Sequence, residues 1–195
     1  PLFLTNKIEK ETNFKIYLLE TVNIPKVISE LFLNKIQSAY LYHSDEKLIM
    51  KTLKSKIPVA KAGGGLVFNA DGDVLFIFRN GKWDLPKGKL EKNEKFKKAA
   101  VREVEEECNV KATLIDKVCT TFHTYTHKNQ RILKKTKWYA MRSKHTGKLI
   151  PQVEENIEKV EWLGPVAMNK AISDTYSSIR FVMIKFQETQ IPSKV

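Results

Sequence analysis

The sequence predicts an α/β protein: an α/β/α sandwich around a mixed sheet, preceded by a small α/β domain. Three observations carry that expectation. No glycine occurs before Gly63 and the texture changes at Ile57-Pro58, which separates a small domain over residues 1–57 from a larger one over residues 58–195. Beyond that boundary, short apolar runs alternate with turn signals, the pattern of strands. Stretches with apolar residues at helical spacing lie between and after them, and helices of that kind bury their stripe against a sheet.

In the first domain, residues 14–19 read as a strand. Asn23 is an N-cap and Pro25 fits the first turn of a helix, along which Ile28, Leu31, Phe32 and Ile36 recur at helical spacing. The run AYLYH is a second strand, and Ser44-Asp45-Glu46 opens a second helix that reaches Lys56. No function is legible in this domain.

In the second domain, GGLVFN and VLFIFR are strands about the turn ADGD, and NGKWDLPKGK reads as a loop. A helix over residues 93–109 follows. KATLIDKVCTTFHTYTH and LKKTKWYAMRS are long strands, EKVEWL is a shorter one, and residues 173–190 suit a terminal helix.

Composition narrows the class. With 195 residues, 42% hydrophobic and 29% charged, the chain has the make-up of a folded globular protein. No apolar run approaches the roughly 20 residues that cross a bilayer, and the start lacks the order of a secretion signal, so the expectation is a cytoplasmic protein with no membrane partner. The two cysteines, Cys108 and Cys119, exclude a disulfide framework and lack metal-ligand spacing. Lys and Arg outnumber Asp and Glu by 34 to 22, a net charge of +12, which favours an anionic partner such as a nucleotide, a polyphosphate or RNA.

The segment REVEEE crowds Glu103, Glu105, Glu106 and Glu107 into one helix. Stepping about 100° per residue from Phe96, Ala100, Val104 and Cys108 continue an apolar stripe, Glu103 and Glu107 fall within about 20° of Phe96, and Glu106 lies to one side. Lys98 and Glu105 fall opposite. A solvated acidic face would point away from the apolar stripe, and this one does not. Carboxylates gathered beside a core need a compensating cation, which a hard divalent ion or neighbouring Lys and Arg residues supply.

The stretch GKLEKNEKFKKAAVREVEEECNV, from Gly88 to Val110, resembles the Nudix box: Gly88, five residues, Glu94, seven residues, Arg102-Glu103, Val104, Glu106-Glu107 and Val110 hold its fixed positions. Asn109 departs from the pattern, standing where the family has glycine at the helix exit; Asn tolerates a left-handed backbone there. The resemblance extends over residues 59–172 and implies a Nudix-type sandwich that cleaves a diphosphate linkage in a nucleoside diphosphate derivative with Mg²⁺ or Mn²⁺. It further implies Glu103, Glu106, Glu107 and the Gly88 carbonyl as metal ligands, and Arg102 as an orienting residue. Glu94 would support the loop, and the base would be Glu103 or a later glutamate, Glu154 or Glu155. The basic run and the DLPKGKLE segment look more like the branches acting on dinucleoside or diphosphoinositol polyphosphates than like the ADP-ribose branch. An enzyme acting on RNA 5′ ends and a regulator that binds nucleotide without cleaving it are the alternatives.

Other residues have two readings each. Arg79 ends a strand at the loop and is either a phosphate clamp or a solvated cation; Lys89, beside the loop glycine, is a candidate for substrate binding. Trp83 either packs the loop, the expected role of an aromatic beside a tight loop, or stacks a base. His123 and Tyr125 share one strand face and either line the pocket or cover the sheet. The eight basic residues from Lys128 to Lys148, with no acidic residue among them, form either a solvated hairpin tip or a phosphate site built on Lys134, Lys135 and Lys137. The Gly63-Gly64-Gly65 run gives either close substrate approach or a flexible strand entry. Residues 1–57 could also serve a homodimer.

Overall fold

A computed structural model describes residues 2–8 and 15–190. They form two compact units. One runs to Val59 and takes in Thr126–Leu133; the other holds Ala60–Tyr125 and the chain from Lys134 onward.

The first unit contains β1 (Leu2–Thr5), β2 (Lys15–Leu18), α1 (Ile24–Phe32), β3 (Ala39–Tyr42) and α2 (Glu46–Lys56). Strand β3 is central and parallel to both neighbours. Asn23 caps α1 through the Lys26 N–H at 3.1 Å, and Asp45 caps α2 through the Lys47 and Leu48 N–H groups. Ala39 and Leu41 of the sheet are buried, as are Ile28, Ile49 and Leu53 of the helices. The sequence reading missed β1, where LFLT is too short to show alternation, and Phe14 of the expected strand lies outside the described residues. Residues 126–133 join this unit because the Leu133 N–H donates to the Pro58 carbonyl at 2.8 Å and the Arg131 guanidinium stacks 4.0 Å from the Phe32 ring centre.

The second unit is a seven-stranded sheet. Its spine follows the order β10 (Ile157–Leu163), β5 (Val74–Arg79), β4 (Val59–Phe68), β9 (Gln130–Arg142), β8 (Thr113–His127). β5 is antiparallel to β4 and β10. β4 and β9 run parallel, since Leu133 pairs back to Pro58 and Ser143 to Phe68. The sheet is therefore mixed. Helix α3 (Phe96–Cys108) covers one face over Val67, Leu75, Ile77, Tyr139 and Met141; α4 (Pro165–Ser173) and α5 (Ser177–Gln190) cover the other over Leu66, Phe76 and Trp138. Two buried layers on opposite faces make the expected sandwich.

Two expectations need correction. The segment NGKWDLPKGK is not a plain loop: β6 (Lys82–Asp84) pairs with β5, and β7 (Lys87–Lys89) pairs with β4, with Gly63 opposite Gly88. Their short polar sequences, KWD and KGK, lack the apolar alternation that marks a strand in sequence. The terminal helix over residues 173–190 is the end of α4 plus α5. The chain breaks at Asp174 and Thr175, which bond across to Trp83: the Trp83 N–H donates to the Asp174 carbonyl at 3.2 Å, and the buried Thr175 hydroxyl donates to the Trp83 carbonyl. Among the described residues no helix is long and apolar enough to cross a membrane.

Packing accounts for the glycine run. A Cβ on Gly63 would lie 2.6 Å from the Ala100 nitrogen and the Phe96 carbonyl oxygen, so only a bare Cα lets α3 settle onto β4. Gly64 faces the other way, against the Trp138 ring.

Candidate active site

Helix α3 begins at Phe96, three residues later than its spacing suggested, because Asn93 takes a left-handed backbone (φ 63°) and ends the preceding loop. At its far end Asn109 is left-handed too (φ 57°), with its side-chain amide donating to the Lys148 carbonyl at 3.1 Å. Asn does here what glycine does at such an exit.

Glu103 and Glu107 are one turn apart and 8% and 1% exposed, while Glu106 lies on the exposed side. Gly88 of β7 abuts Glu103 so closely that any Cβ there would overlap the carboxylate. Arg102 gathers the acids beside it. Its Nε and Nη2 donate to Glu94 at 3.0 and 2.9 Å, its Nη1 donates to Glu106 at 2.6 Å and lies 2.9 Å from Glu103, and Nη2 also donates to the Lys89 carbonyl at 2.9 Å. Glu94 accepts from the Glu91 N–H as well, which joins the loop to the helix start.

Glu107 accepts from the Lys87 N–H at 2.8 Å and from Arg79 Nη1 at 3.4 Å. Burial pushes its carboxyl up to about 7, against the pull of Lys87 and Arg79. Burial also raises Glu103, opposed by Arg102 and reinforced by Glu106 and Glu155. For both carboxylates burial outweighs the neighbouring cations that favour the charged form.

Arg79 does not stand as a solvated strand end. Its Nε and Nη2 donate to Asp84 at 3.2 and 3.1 Å, and its Nη1 to Glu107, so it links the helix to a second buried acid. Asp84 also binds Lys87 Nζ and accepts from the Leu85 N–H. Burial works against the Asp84 anion, yet Lys87 and Arg79 together hold its carboxyl below the usual range. Sequence reasoning missed Asp84 and Lys87. The available signal was a lone acid between Trp83 and Leu85 in a segment otherwise bound for the core.

Trp83 packs edge-on against Phe76 and Phe78 and so holds the loop. Glu155 lies in a short 3-10 turn (Val153–Glu155) behind a segment strapped to α3, where the Ile150 and Gln152 N–H groups donate to the Cys108 and Glu107 carbonyls. Glu155 is exposed, and its charge acts on both Glu103 and Arg79. The basic strand divides its lysines. Lys134 lies 5.9 Å from the Tyr125 ring, on the face that carries His123, whereas Lys137 and Lys135 lie 4.3 and 5.9 Å from the Phe96 ring on the face of α3.

Among the described residues no three carboxylate, imidazole or thiol groups converge to hold a metal. Glu103 and Glu106 turn to Arg102, and Glu107 to Arg79 and the Lys87 N–H. The donors suit a hard cation nonetheless: they are oxygen ligands, and two of them are buried where desolvation outweighs the help of their Arg and Lys neighbours.

Sandwich, box helix and buried glutamates define a Nudix pyrophosphohydrolase. The chain belongs to the NUDIX domain family, whose profile matches residues 59–181. An Ap4A hydrolase from C. elegans, solved as a binary complex, shares the fold at 21% identity, covering 67% of this chain and 96% of that one with a TM-score of 0.53. A MutT protein from Methanosarcina mazei does so at 19% identity, covering 69% and 98%, with a TM-score of 0.53. A bifunctional NMN adenylyltransferase/ADP ribose pyrophosphatase from Francisella tularensis, complexed with AMP and a Mn ion, gives 22% identity, 72% and 46% coverage and a TM-score of 0.50.

Proposed function

We propose that the protein hydrolyses a diphosphate linkage in a polyphosphorylated nucleoside derivative, with a dinucleoside polyphosphate as the favoured substrate and Mg²⁺ or Mn²⁺ as cofactor. The observation that carries this reading is the buried pair Glu103 and Glu107 beside Gly88, with Arg102 steering the neighbouring acids. The fold shared with an Ap4A hydrolase, and the Mn ion in the Francisella protein, agree with it.

In this reading Glu103, Glu106, Glu107 and the Gly88 carbonyl hold the cation, which when bound neutralises phosphate charge and makes the attacking water more acidic. Arg102 orients Glu103 and Glu106 and ties both to Glu94. Glu155 accepts the water's proton, supported by its exposure, its strapped segment and its nearness to Glu103. Arg79 positions Glu107 from behind.

The test is a screen with Mg²⁺ against dinucleoside polyphosphates, ADP-ribose, nucleoside triphosphates, diphosphoinositols and triphosphorylated RNA. Hydrolysis is expected to be fastest on the dinucleoside polyphosphates. Glu103→Gln and Glu107→Gln are expected to lower it by at least about 10²-fold with the circular dichroism unchanged. Near wild-type turnover in either variant overturns the assignment, and faster release from long RNA than from nucleotides moves the substrate to RNA.

A further inference from the structure

The roles proposed so far leave a group of cations on the other face of the sheet unexplained. Lys87 is the register partner of Gly64, and a Cβ on Gly64 would lie 3.0 Å from Lys87 Cβ and against the Trp138 ring, so Lys87 stands on the face that Trp138 covers. Lys89, two residues along β7, projects to the same side. Trp138 Nε1 donates to Thr121 Oγ1 at 2.8 Å, which sets Thr121, His123 and Tyr125 on this face as well. Lys134 reaches it from β9, over the Tyr125 ring, and the His123 ring centre lies 6.3 Å from that of Tyr125.

The charges here do not balance. Arg79, Lys87, Lys89 and Lys134 are set against two buried acids, Asp84 and Glu107; Arg79 pairs with both, and the Lys87 ammonium pairs with Asp84. Lys134 has no ion pair among the described residues and is partly buried. Burial lowers its ammonium to about 8, and Lys87 and Arg79 push in the same direction. Burial, with Lys134 and Lys87, lowers His123 to about 4, so its ring is uncharged at neutral pH and offers one N–H. A partly buried cation with no counter-charge of its own, set beside other cations, is stabilised by an anion entering between them.

We infer that this face of the sheet binds a phosphate group of the substrate beyond the two that flank the cleaved bond, and that Lys134 is the residue that selects for it. This rests on the pyrophosphohydrolase reading for its biological meaning, though not for its test. Strand β9 then separates its lysines by function: Lys134 reads the length of the phosphate chain, and Lys135 and Lys137 lie over Phe96 on the opposite face.

The first experiment needs no turnover. Inorganic tripolyphosphate and pyrophosphate are titrated calorimetrically into the metal-free protein, wild type and Lys134→Gln. Wild type is expected to prefer tripolyphosphate by about tenfold, one well-made charged contact. Lys134→Gln brings the ratio near one and Lys134→Arg retains the preference. The second experiment compares kcat/KM for diadenosine di- and tetraphosphate with Mg²⁺. The variant is expected to lose on the tetraphosphate and to keep its rate on the diphosphate. An equal loss on both, or wild-type tripolyphosphate binding by Lys134→Gln, overturns the inference. Lys134-dependent tripolyphosphate binding in a protein that hydrolyses no diphosphate would uphold the subsite and overturn the pyrophosphohydrolase reading instead.

Discussion

Two arginines divide the glutamates of α3 between them, and the division follows from where each guanidinium is anchored. Arg102 sits on the helix itself and reaches Glu94, Glu103 and Glu106; Arg79 comes from the sheet and bridges Glu107 to Asp84. Losing Arg79 leaves two buried acids short of a partner, the costly way to break a buried pair. At the same scale, His123 makes a pH dependence with a definite sign. Its folded pKa of about 4 lies below the ordinary 6.5, so between those values the unfolded chain binds the extra proton. Stability from this group is present above pH 6.5 and is lost as the pH falls toward 4. The melting temperature of His123→Asn is therefore expected to fall less than that of wild type between pH 6.5 and 4, and parallel curves would show that the ring titrates normally.

At the scale of elements, the acidic helix works because of what it rests on. Gly63 lets the backbone of α3 approach β4, and that approach brings Glu103 against Gly88. Gly63→Ala drives a methyl group into the Ala100 nitrogen and Phe96 carbonyl, and overpacking of this kind costs about 1–3 kcal/mol. Chemical denaturation is expected to show that loss, together with a larger fall in activity than the lost stability explains, since the helix must move outward and carry its glutamates with it. The helix exit is a milder case. Asn109→Ala places a residue with no local hydrogen-bonding group in a left-handed backbone and removes the bond to the Lys148 carbonyl, for an expected loss of about 1–2 kcal/mol, while Asn109→Gly is expected to remain within about 0.5 kcal/mol of wild type. The same denaturation series measures both.

At the scale of the molecule, the first unit is built from two separate stretches of chain. The tip of the β8–β9 hairpin, Thr126–Leu133, belongs with the unit that runs to Val59, held by the Leu133–Pro58 bond and the Arg131–Phe32 stack. Removing residues 1–58 strips those partners away. Amide exchange over Gln130–Leu133 is then expected to speed up markedly while exchange in α3 holds, and unchanged protection at the tip would mean that its own turn stabilises it.

The local features were legible because they depend on near neighbours. Asn23 and Asp45 cap their helices through N–H groups two or three residues on, the left-handed Asn109 ends α3, and the spacing of Glu103 and Glu107 turned both inward by helical period alone. The Nudix box is of this kind, and with it the enzyme class. What only the tertiary structure decided depends on strands far apart in sequence. Asp84 acquires meaning from Arg79 and Lys87 folding over it, the short strands β6 and β7 exist because β5 and β4 lie beside them, and Lys134 parts from Lys135 because each faces a different side of one sheet. Helical periodicity is written in consecutive residues, whereas the register between strands is set by which partner each strand finds, and no single stretch of chain encodes that partner.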